Sequence, residues 1–383
     1  MKIAFDAQPL LDKAKTGIPW NSERIIGELL KDKSFGYQLN VFDWMGKREK
    51  AGEFDIYKNA GCRINSCKWL DGRIFYKLSL YLPVPYHWFF GRKADITQFF
   101  NYTVPAGVKT ITFTYIYDMS YKRYPETIKK RGVQWLSRNL PSYCRRSLFL
   151  VTISEFSKSE IVKLLGISPG KIIVVPCAVN TDEFRPDYTK DEIRESREAY
   201  GIPEKYLFYL GTLEPRKNIP LILDAYKILK EDRVSPLPKL VLAGKKGWLY
   251  DGIFERVKEN GMEQDVIFTG YVSEKDEPRI MAGAEIFLFP SLYEGFGMPP
   301  LEAMSCGTPV IVSNAASLPE VVGEAGLKVD VHDPKELADA IQRLHSDETL
   351  RKELSQKGIE RAKEFTFEKA AVVLKNAYRK AVS

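Results

Sequence analysis

Two carboxylates, Glu294 and Glu302, flank a short loop whose intervening sequence is GFGMPPL. The glycines of this loop, Gly295 and Gly297, allow the backbone to approach a ligand closely and leave its N–H groups available as donors. Backbone N–H groups suit an anion, whereas carboxylates repel an anion and suit hydroxyl groups, from which they accept hydrogen bonds. The stretch therefore predicts a ligand with an anionic part and hydroxyl-rich parts.

The elements on either side of this loop predict how the chemistry is held in place. Residues 284–290 form an apolar run that predicts a buried strand, and residues 301–304 begin a helix with Pro299 and Pro300 suited to its first turn. A loop that runs from the carboxyl end of a strand into a helix N-terminus is a place where phosphates bind. A phosphate between two carboxylates indicates a nucleotide sugar.

A pair of cations, Arg216 and Lys217, stands between a predicted strand at residues 206–210 and a predicted helix that ends near residue 230. Two cations beside a helix N-terminus are electrostatically unfavourable, because the helix dipole is already positive there. A bound anion would offset this cost, so the pair predicts a phosphate site. The alternative is a solvated pair of surface charges.

Residues 290–310, PSLYEGFGMPPLEAMSCGTPV, closely resemble the signature of the family-4 retaining glycosyltransferases. The glycines, the tandem prolines and the following CGTP make the signal more specific than two glutamates at this spacing would be. The resemblance runs through most of the C-terminal half and appears in patches in the N-terminal half, for example at residues 151–158. It implies an α/β fold with the GT-B architecture, in which two Rossmann-like, doubly wound parallel-sheet domains face a cleft.

The resemblance also implies roles for individual residues. Arg216, Lys217 and Glu294 are implied as the catalytic residues: the two cations hold the donor's diphosphate, and Glu294 binds hydroxyls of the transferred sugar. Glu302 is implied to bind the ribose hydroxyls, and the backbone around Tyr271 to hold the nucleotide base. The further residues implied to contact the donor are Gly17, Tyr117, Asp118, Gly211, Val272, Gly295, Phe296, Gly297, Met298 and Pro299.

The sequence departs from the family at one position implied to face the donor. Many relatives end the strand equivalent to residues 110–117 with His-Asp, and the histidine contacts the donor sugar; this chain has Tyr117-Asp118 instead. A tyrosine can hydrogen-bond a sugar hydroxyl, or its ring can stack on the sugar. The substitution bears on the identity of the donor sugar more than on the reaction class.

The implied reaction moves a hexosyl group, as in mannosyl-, rhamnosyl- or glucosyltransferases, from a nucleoside diphosphate sugar to an acceptor hydroxyl with retention of the anomeric configuration. Such a reaction serves the synthesis of a polysaccharide, a lipopolysaccharide or a glycolipid. No cofactor or metal is expected, because cations and backbone N–H groups can stabilise the leaving diphosphate and the sequence has no D-x-D motif for Mg²⁺. A GT-B nucleotide-sugar epimerase and a non-catalytic nucleotide-sugar-binding protein are the alternatives.

The length of 383 residues predicts two domains. We expect an N-terminal, acceptor-side domain at residues 1–185 and a nucleotide-sugar-binding domain at residues 190–366, with a last helix at about residues 367–383 packing back on the first. Apolar or β-branched runs predict strands at residues 2–6, 38–42, 63–66, 95–100, 110–117, 148–154, 171–175, 206–210, 240–244, 266–269, 284–290 and 308–313.

The composition of the chain limits which partners and which cellular compartment we expect. The net charge of +7 suggests an anionic partner, but no nucleic-acid-binding motif accompanies it, so no nucleic acid is expected. Five cysteines without a C-x-x-C pair indicate free thiols in a reducing cytoplasm. The N-terminus lacks the apolar length of a signal peptide, and no apolar run approaches the ~20 residues of a membrane span. We expect a cytoplasmic protein, and peripheral attachment to the inner face of the membrane is the second expectation.

Residues 74–90 are rich in aromatic residues and prolines and carry one formal charge. They predict either a core helix and loop of the first domain or an interfacial patch that touches a membrane or a lipid-linked acceptor. The basic run at residues 129–146 supports the second interpretation, and a solvated basic face is its alternative.

Overall fold

A computed structural model of the chain describes residues 1–11, 17–91, 93–232, 236–247 and 250–383. The chain divides into two compact units. The first comprises residues 1–122, 130–177 and 367–383, and the second comprises residues 123–129 and 178–366.

The first unit is built on a seven-stranded parallel sheet of order β3-β2-β1-β4-β5-β6-β7. Its strands are β1 (Lys2–Asp6), β2 (Gly36–Phe42), β3 (Arg63–Cys67), β4 (Ile96–Phe99), β5 (Ile111–Tyr115), β6 (Phe149–Thr152) and β7 (Ile172–Val174). Its helices are α1 (Gly17–Leu29), α2 (Lys47–Lys50), α3 (Asp55–Asn59), α4 (Gly72–Leu78), α5 (Ser120–Arg123), α6 (Lys130–Arg146) and α7 (Glu155–Leu165). The helix α5 ends one residue beyond the division.

The second unit is built on a six-stranded parallel sheet of order β10-β9-β8-β11-β12-β13. Its strands are β8 (Tyr206–Leu210), β9 (Lys239–Ala243), β10 (Val266–Gly270), β11 (Ile286–Phe289), β12 (Val310–Ser313) and β13 (Gly326–Val329). Its helices are α8 (Lys190–Ala199), α9 (Ile219–Glu231), α10 (Asp251–Glu259), α11 (Glu277–Ala282), α12 (Met298–Ser305), α13 (Leu318–Val322), α14 (Pro334–Ser346) and α15 (Glu348–Ala362).

Central strands such as β11, with the sequence IFLF, and β12, with VIVS, are buried along their whole length. Continuous apolar runs of this kind are typical of parallel strands that have both faces covered. The strand order reverses between β1 and β4 in one sheet and between β8 and β11 in the other, as in Rossmann-like folds. The predicted fold class is confirmed. The short strand β13 was not predicted from its sequence, GLKV.

The last helix, α16 (Phe367–Val382), belongs to the first unit although 189 residues of the second unit, 178–366, precede it. Its Tyr378 is buried, donates a hydrogen bond of 3.0 Å from its hydroxyl to Gln98 Oε1, and packs edge-on against Phe113 at 5.0 Å between ring centroids. Lys375 pairs with Asp32 at 3.4 Å. These contacts explain why the end of the chain is part of the first unit.

The division between the units falls after Cys177, whereas the sequence placed the boundary at residues 185–190. The segment in between packs on the second unit, because the Val179 N–H donates to the Phe365 carbonyl at 3.1 Å and Ser305 Oγ donates to the Phe184 carbonyl. The segment 123–129 also belongs to the second unit: the Tyr124 ring lies 5.8 Å from that of Tyr293.

Among the described residues, no helix combines the length and the apolar character that crossing a bilayer requires.

Candidate active site

Two loops of the second unit emerge side by side from its sheet. One follows β8 and contains a short 3-10 helix, Pro215–Lys217, and the other follows β11 and leads to α12. Because β8 and β11 are neighbours where the strand order reverses, both loops lie at the position where α/β sheets bind ligands. The Leu292 N–H donates to the Arg216 carbonyl at 2.9 Å and so joins the two loops.

A network of four charges connects these loops. Lys217 Nζ lies 2.6 Å from Glu294 Oε1, and Arg216 Nη1 lies 3.0 Å from Glu294 Oε2. Arg216 also donates from Nη1 to the Tyr293 carbonyl at 2.6 Å and from Nη2 to Glu214 Oε1 at 2.7 Å. The structure thus brings together all three residues that the sequence implied to be catalytic. The structure adds Glu214 to the network. Sequence reasoning missed this residue, although its position two residues before Arg216 could have indicated it.

Burial and charge act in opposite directions on this network. Burial alone would raise the pKa of Glu294, but Lys217 and Arg216 outweigh it and lower that pKa to about 2. Burial lowers the pKa of Lys217 below its ordinary value, although Glu294 opposes the shift. The two pKa shifts are consistent with each other. Glu294 has two cations next to it, which favour its charged form, whereas Lys217 has one carboxylate in contact and the like charge of Arg216 nearby. Glu294 is therefore a carboxylate at neutral pH.

The loop before α12 requires glycine at Gly297. Its φ is +108°, and a Cβ there would lie 2.5 Å from Leu318 Cδ2. The loop is fixed from behind by Ser317, whose hydroxyl lies 2.9 Å from the Glu294 carbonyl and 2.8 Å from the Phe296 carbonyl. Side chains around the loop thus hold its backbone in one conformation.

The sequence also implied that the N–H groups around Gly297 face the donor phosphates. Pro299 and Pro300 occupy the first turn of α12 and carry no N–H. The Leu301 N–H points back to the Gly297 carbonyl at 3.5 Å. The N–H groups that the start of this helix can offer an anion are therefore those of Gly297 and Met298.

Gly211 has a packing reason to be glycine. A Cβ at this position would lie 2.8 Å from the Tyr209 hydroxyl and 3.9 Å from Lys217 Cε. The neighbouring Gly244 approaches so closely that its Cβ would lie 2.0 Å from the Gly211 carbonyl oxygen. The loops after β8 and β9 can approach each other this closely because neither Gly211 nor Gly244 has a side chain.

Glu302 belongs to a separate group of carboxylates. It is half-buried in α12, and its pKa is raised well above the ordinary value, first by burial and then by the charges of Glu277 and Glu183. Burial and the neighbouring charges of Glu274 and Glu183 likewise raise the pKa of Glu277, in the first turn of α11, to about 7. A carboxyl that keeps its proton can donate as well as accept hydrogen bonds. Sequence reasoning did not identify Glu183 or Glu277.

The residues implied to hold the base follow β10. Tyr271 is exposed, with Lys245 Nζ 4.6 Å from the centre of its ring, and Val272 is buried. The Gly244 N–H donates to the Gly270 carbonyl at 2.8 Å, so this segment is tied to the loop after β9.

Three implied donor-contacting residues lie in the first unit. Gly17 is the first residue of α1, where a Cβ would meet nothing within 4 Å; residues 12–16, just before it, lie outside the described residues. The Asp118 carboxylate accepts hydrogen bonds from the Ser120 N–H at 2.9 Å and from the Ser120 hydroxyl at 2.7 Å, so it binds the first residue of α5.

Tyr117 makes contacts inside the first unit. It lies two residues after β5, is buried, and donates its hydroxyl hydrogen bond to the Phe100 carbonyl at 2.9 Å. Its ring stacks on that of Tyr115 at 5.3 Å. The hydroxyl and one ring face are thus used inside the first unit, because the side chain turns into the core beside β4 and β5. These contacts give Tyr117 a packing role that the sequence analysis did not foresee.

The sequence profile of the family described as "Glycosyl transferases group 1" matches residues 192–361, which include the loops of the charge network. The chain is 34% identical over 279 residues to O-antigen chain mannosyltransferase B of Escherichia coli, covering 73% of this chain and 72% of that protein. It is 28% identical over 223 residues to the serotype-specific mannosyltransferase WbdA of Escherichia coli, where the match covers 58% of this chain and 27% of the longer WbdA.

Solved structures share the fold over the full chain. Sucrose-phosphate synthase from Thermosynechococcus elongatus has a TM-score of 0.74 at 19% identity and covers 100% of both chains. HepE from Anabaena, solved in complex with UDP-glucose, has a TM-score of 0.72 at 16% identity and covers 99% of this chain and 100% of that one. The resemblance noted in the sequence is confirmed: the chain belongs to the group 1 family of glycosyltransferases.

Proposed function

We propose that the second unit binds a nucleoside diphosphate sugar and that Arg216 and Lys217 hold its diphosphate. The observation that carries the proposal is the convergence of both cations on Glu294 where the strand order reverses. In this arrangement Glu294 accepts hydrogen bonds from hydroxyls of the transferred sugar, and Glu302 accepts from the ribose. The backbone of Tyr271 and Val272 holds the base.

The chemical step proposed here is transfer of a hexosyl group to an acceptor hydroxyl with retention of the anomeric configuration. Negative charge grows on the diphosphate as the anomeric bond breaks, and fixed cations stabilise that charge without reorganising. Arg216 is suited to this task because Glu214 and the Tyr293 carbonyl fix its guanidinium from two sides. The leaving phosphate then takes the proton of the acceptor hydroxyl.

Mannose is the sugar that the relatives favour, since O-antigen chain mannosyltransferase B and WbdA are both mannosyltransferases. We propose a mannosyl donor and a carbohydrate or lipid-linked acceptor, in the synthesis of a polysaccharide, a lipopolysaccharide or a glycolipid. The protein would then act in the cytoplasm, at the inner face of the membrane where a lipid-linked acceptor is exposed.

Calorimetric titration with UDP, GDP, CDP, TDP and ADP tests the donor site first. One nucleoside diphosphate is expected to bind more tightly than the others, and the corresponding mannosyl donor is then assayed for hydrolysis and for transfer. If none of the five binds, the diphosphate site is misplaced.

We also propose that transfer needs no metal, because Arg216 and Lys217 supply the charge that Mg²⁺ supplies in carboxylate-held sites. Activity is expected to be equal, within about twofold, in excess EDTA and in added Mg²⁺. A loss of activity in EDTA that Mg²⁺ restores would contradict this mechanism.

A further inference from the structure

The segment from Trp69 to Trp88 has two opposite faces. Its outer face carries six large apolar side chains that are exposed, and we call them the apolar crest. They are Trp69, Ile74, Leu78, Tyr81, Leu82 and Trp88. Trp69, Tyr81 and Trp88 are each exposed by about two thirds or more, at 67%, 73% and 70%. Exposed apolar side chains that cluster in this way mark an interaction site, whereas single ones need no explanation.

Helical geometry places four members of the crest on one stripe. Ile74 and Leu78 are four residues apart in α4, and the helical path continues because the Tyr81 and Leu82 N–H groups both donate to the Leu78 carbonyl at 3.0 Å. Residues spaced by four, seven and eight lie on the same side of a helix. The stripe therefore faces outward as a unit.

The inner face of the same segment is anchored in an aromatic core. Phe75 is buried and stacks on Phe42 at 4.6 Å, and its ring lies 4.9 Å from that of Phe89. Trp69 of the crest lies 5.5 Å from Phe89. The core interpretation of residues 74–90 thus holds for the inner face, and the packing of that face holds the crest in a fixed orientation.

The sequence around the crest has an excess of basic residues. Residues 68–93 contain five Lys or Arg residues and one acidic residue, Asp71. Asp71 is already paired with Arg73 at 2.9 Å, and Lys68 is paired with Glu49 at 2.9 Å. Lys77, exposed on α4 beside the crest, forms no ion pair within the described part of the chain. The partner of this surface should therefore be apolar and anionic together.

We propose that the apolar crest docks the first unit on an anionic lipid bilayer, with its aromatic and aliphatic side chains in the interfacial layer and Lys77 at the level of the headgroups. Trp and Tyr prefer that layer, and Lys or Arg near it are attracted by anionic lipids. A second copy of the chain is a poorer occupant, because a symmetric contact would bring two positive surfaces together. The proposal rests on the proposed function in that it identifies the surface facing the membrane that presents the acceptor.

Vesicle flotation tests the proposal without donor or nucleotide. The protein is mixed with vesicles of phosphatidylcholine alone or with phosphatidylglycerol added, at low and at high salt. It should float with the anionic vesicles at low salt, less so at high salt, and not with the neutral ones. Absence of flotation with anionic vesicles at low salt overturns the proposal.

Matched variants locate the surface. Leu78→Ser with Leu82→Ser removes two crest side chains, exposed by 47% and 52%, and should reduce the bound fraction at least tenfold. The control Val372→Ser with Val382→Ser removes two side chains of α16 that are equally exposed, at 49% and 48%, and should bind as the unchanged protein does. Equal binding by both pairs, or equal loss in both, overturns the proposal.

Two further measurements separate the remaining outcomes. Lys77→Glu should weaken binding to anionic vesicles, whereas Lys227→Glu, a similarly exposed charge on α9, should not. Concentration-dependent dimerisation that the crest variant abolishes, without vesicle binding, would identify a second copy as the occupant and overturn the proposal. Nucleoside diphosphate titration of the crest variant should match the unchanged protein, so a failure of the donor site would be visible separately.

Discussion

Glu294 is the residue on which both cations of the site converge. Each of its two carboxylate oxygens forms an ion pair with one cation, and Glu214 also pairs with Arg216. Two positive and two negative charges meet, so the network is close to neutral. A diphosphate that enters it must share the cations with Glu294, whose hydrogen-bonding capacity then turns to the sugar. Substitutions of Lys217 and of Glu294 can test this competition between Glu294 and a diphosphate for the two cations.

Lys217→Ala is expected to lower kcat as well as nucleotide affinity. The ammonium should interact more strongly with the diphosphate after bond cleavage than before, since charge builds there. Loss of one such donor costs about 3 kcal/mol, or roughly a hundredfold or more in rate. Steady-state kinetics check this, with the exposed Lys227→Ala as the matched control. Unchanged kcat and unchanged diphosphate affinity in Lys217→Ala would show that the phosphate site lies elsewhere.

Glu302→Ala, measured by the same kinetics, should mainly raise KM, because the ribose is remote from the breaking bond.

Glu294→Gln is expected to tighten the binding of a nucleoside diphosphate while slowing transfer. The substitution removes a carboxylate that competes with phosphate for Arg216 and Lys217, and a gain of about tenfold corresponds to about 1.4 kcal/mol. The sugar loses its charged hydrogen-bond acceptor at the same time. Titration with the diphosphate and with the intact donor measures the two effects. Asp224→Asn, which breaks the pair with Arg256 elsewhere in this unit, is the control. Weaker diphosphate binding in Glu294→Gln would contradict the competition.

The elements α11 and α12 place two carboxyl groups, Glu277 and Glu302, near enough that the charge of Glu277 acts on the pKa of Glu302. Burial and neighbouring charges raise the pKa of Glu277 to about 7 and that of Glu302 well above its ordinary value. In the unfolded chain a glutamate titrates near 4.3. The folded state therefore binds more protons between about pH 4.3 and 7, and its stability falls as the pH rises through that window.

Glu277→Gln should therefore raise the melting temperature at pH 8 and change it little at pH 4.5. The penalty for ionising Glu277 is fully present above a pH of about 7 and absent below its unfolded pKa. Glu294→Gln should behave in the opposite way. Its pKa of about 2 provides stability that is present above pH 4.3 and lost as the pH falls toward 2. Thermal melts from about pH 2 to pH 8 cover both titration windows and test both signs. An equal change in melting temperature at pH 4.5 and pH 8 for Glu277→Gln would show that its carboxyl is not perturbed.

On the scale of the whole molecule, the first unit is made from both ends of the chain. The helix α16 returns to it after the second unit is complete, and it contributes the buried side chains Leu374 and Tyr378. The second unit is continuous apart from residues 123–129. Damage to α16 should therefore affect one unit and spare the other.

Leu374→Ala is expected to destabilise the first unit by about 2–5 kcal/mol, because Leu374 is fully buried and its loss leaves a cavity. Scanning calorimetry with and without a nucleoside diphosphate distinguishes the units, since the ligand should raise the transition of the second unit. Diphosphate affinity should be unchanged. A parallel shift of every transition, or loss of diphosphate binding, would contradict the assignment of α16. Val372→Ser, an exposed position on the same helix, is the control.

The fold class could be predicted from the sequence through the family resemblance and the apolar runs, and so could the proposed donor-site residues that lie close together along the chain. Continuous apolar runs define buried parallel strands, and the residues of a loop between a strand and a helix stay neighbours in any fold. Glu294, Gly297 and Glu302 could thus be grouped from their spacing. Arg216 and Lys217 were grouped with them through the family resemblance.

Contacts between segments that are distant along the chain depend on the tertiary fold. Glu294 meets Lys217, 77 residues earlier, because β8 and β11 are adjacent in the sheet, and sequence periodicity does not encode strand order. The same holds for Glu277, whose charge acts on Glu302, and for Tyr117, whose hydroxyl donates to the Phe100 carbonyl inside the first unit. Residues 74–90 show the reason most directly. Aromatic side chains suit a core and a membrane interface equally, and only the position of the helix on its neighbours assigned Phe75 to one and Leu78 to the exposed crest.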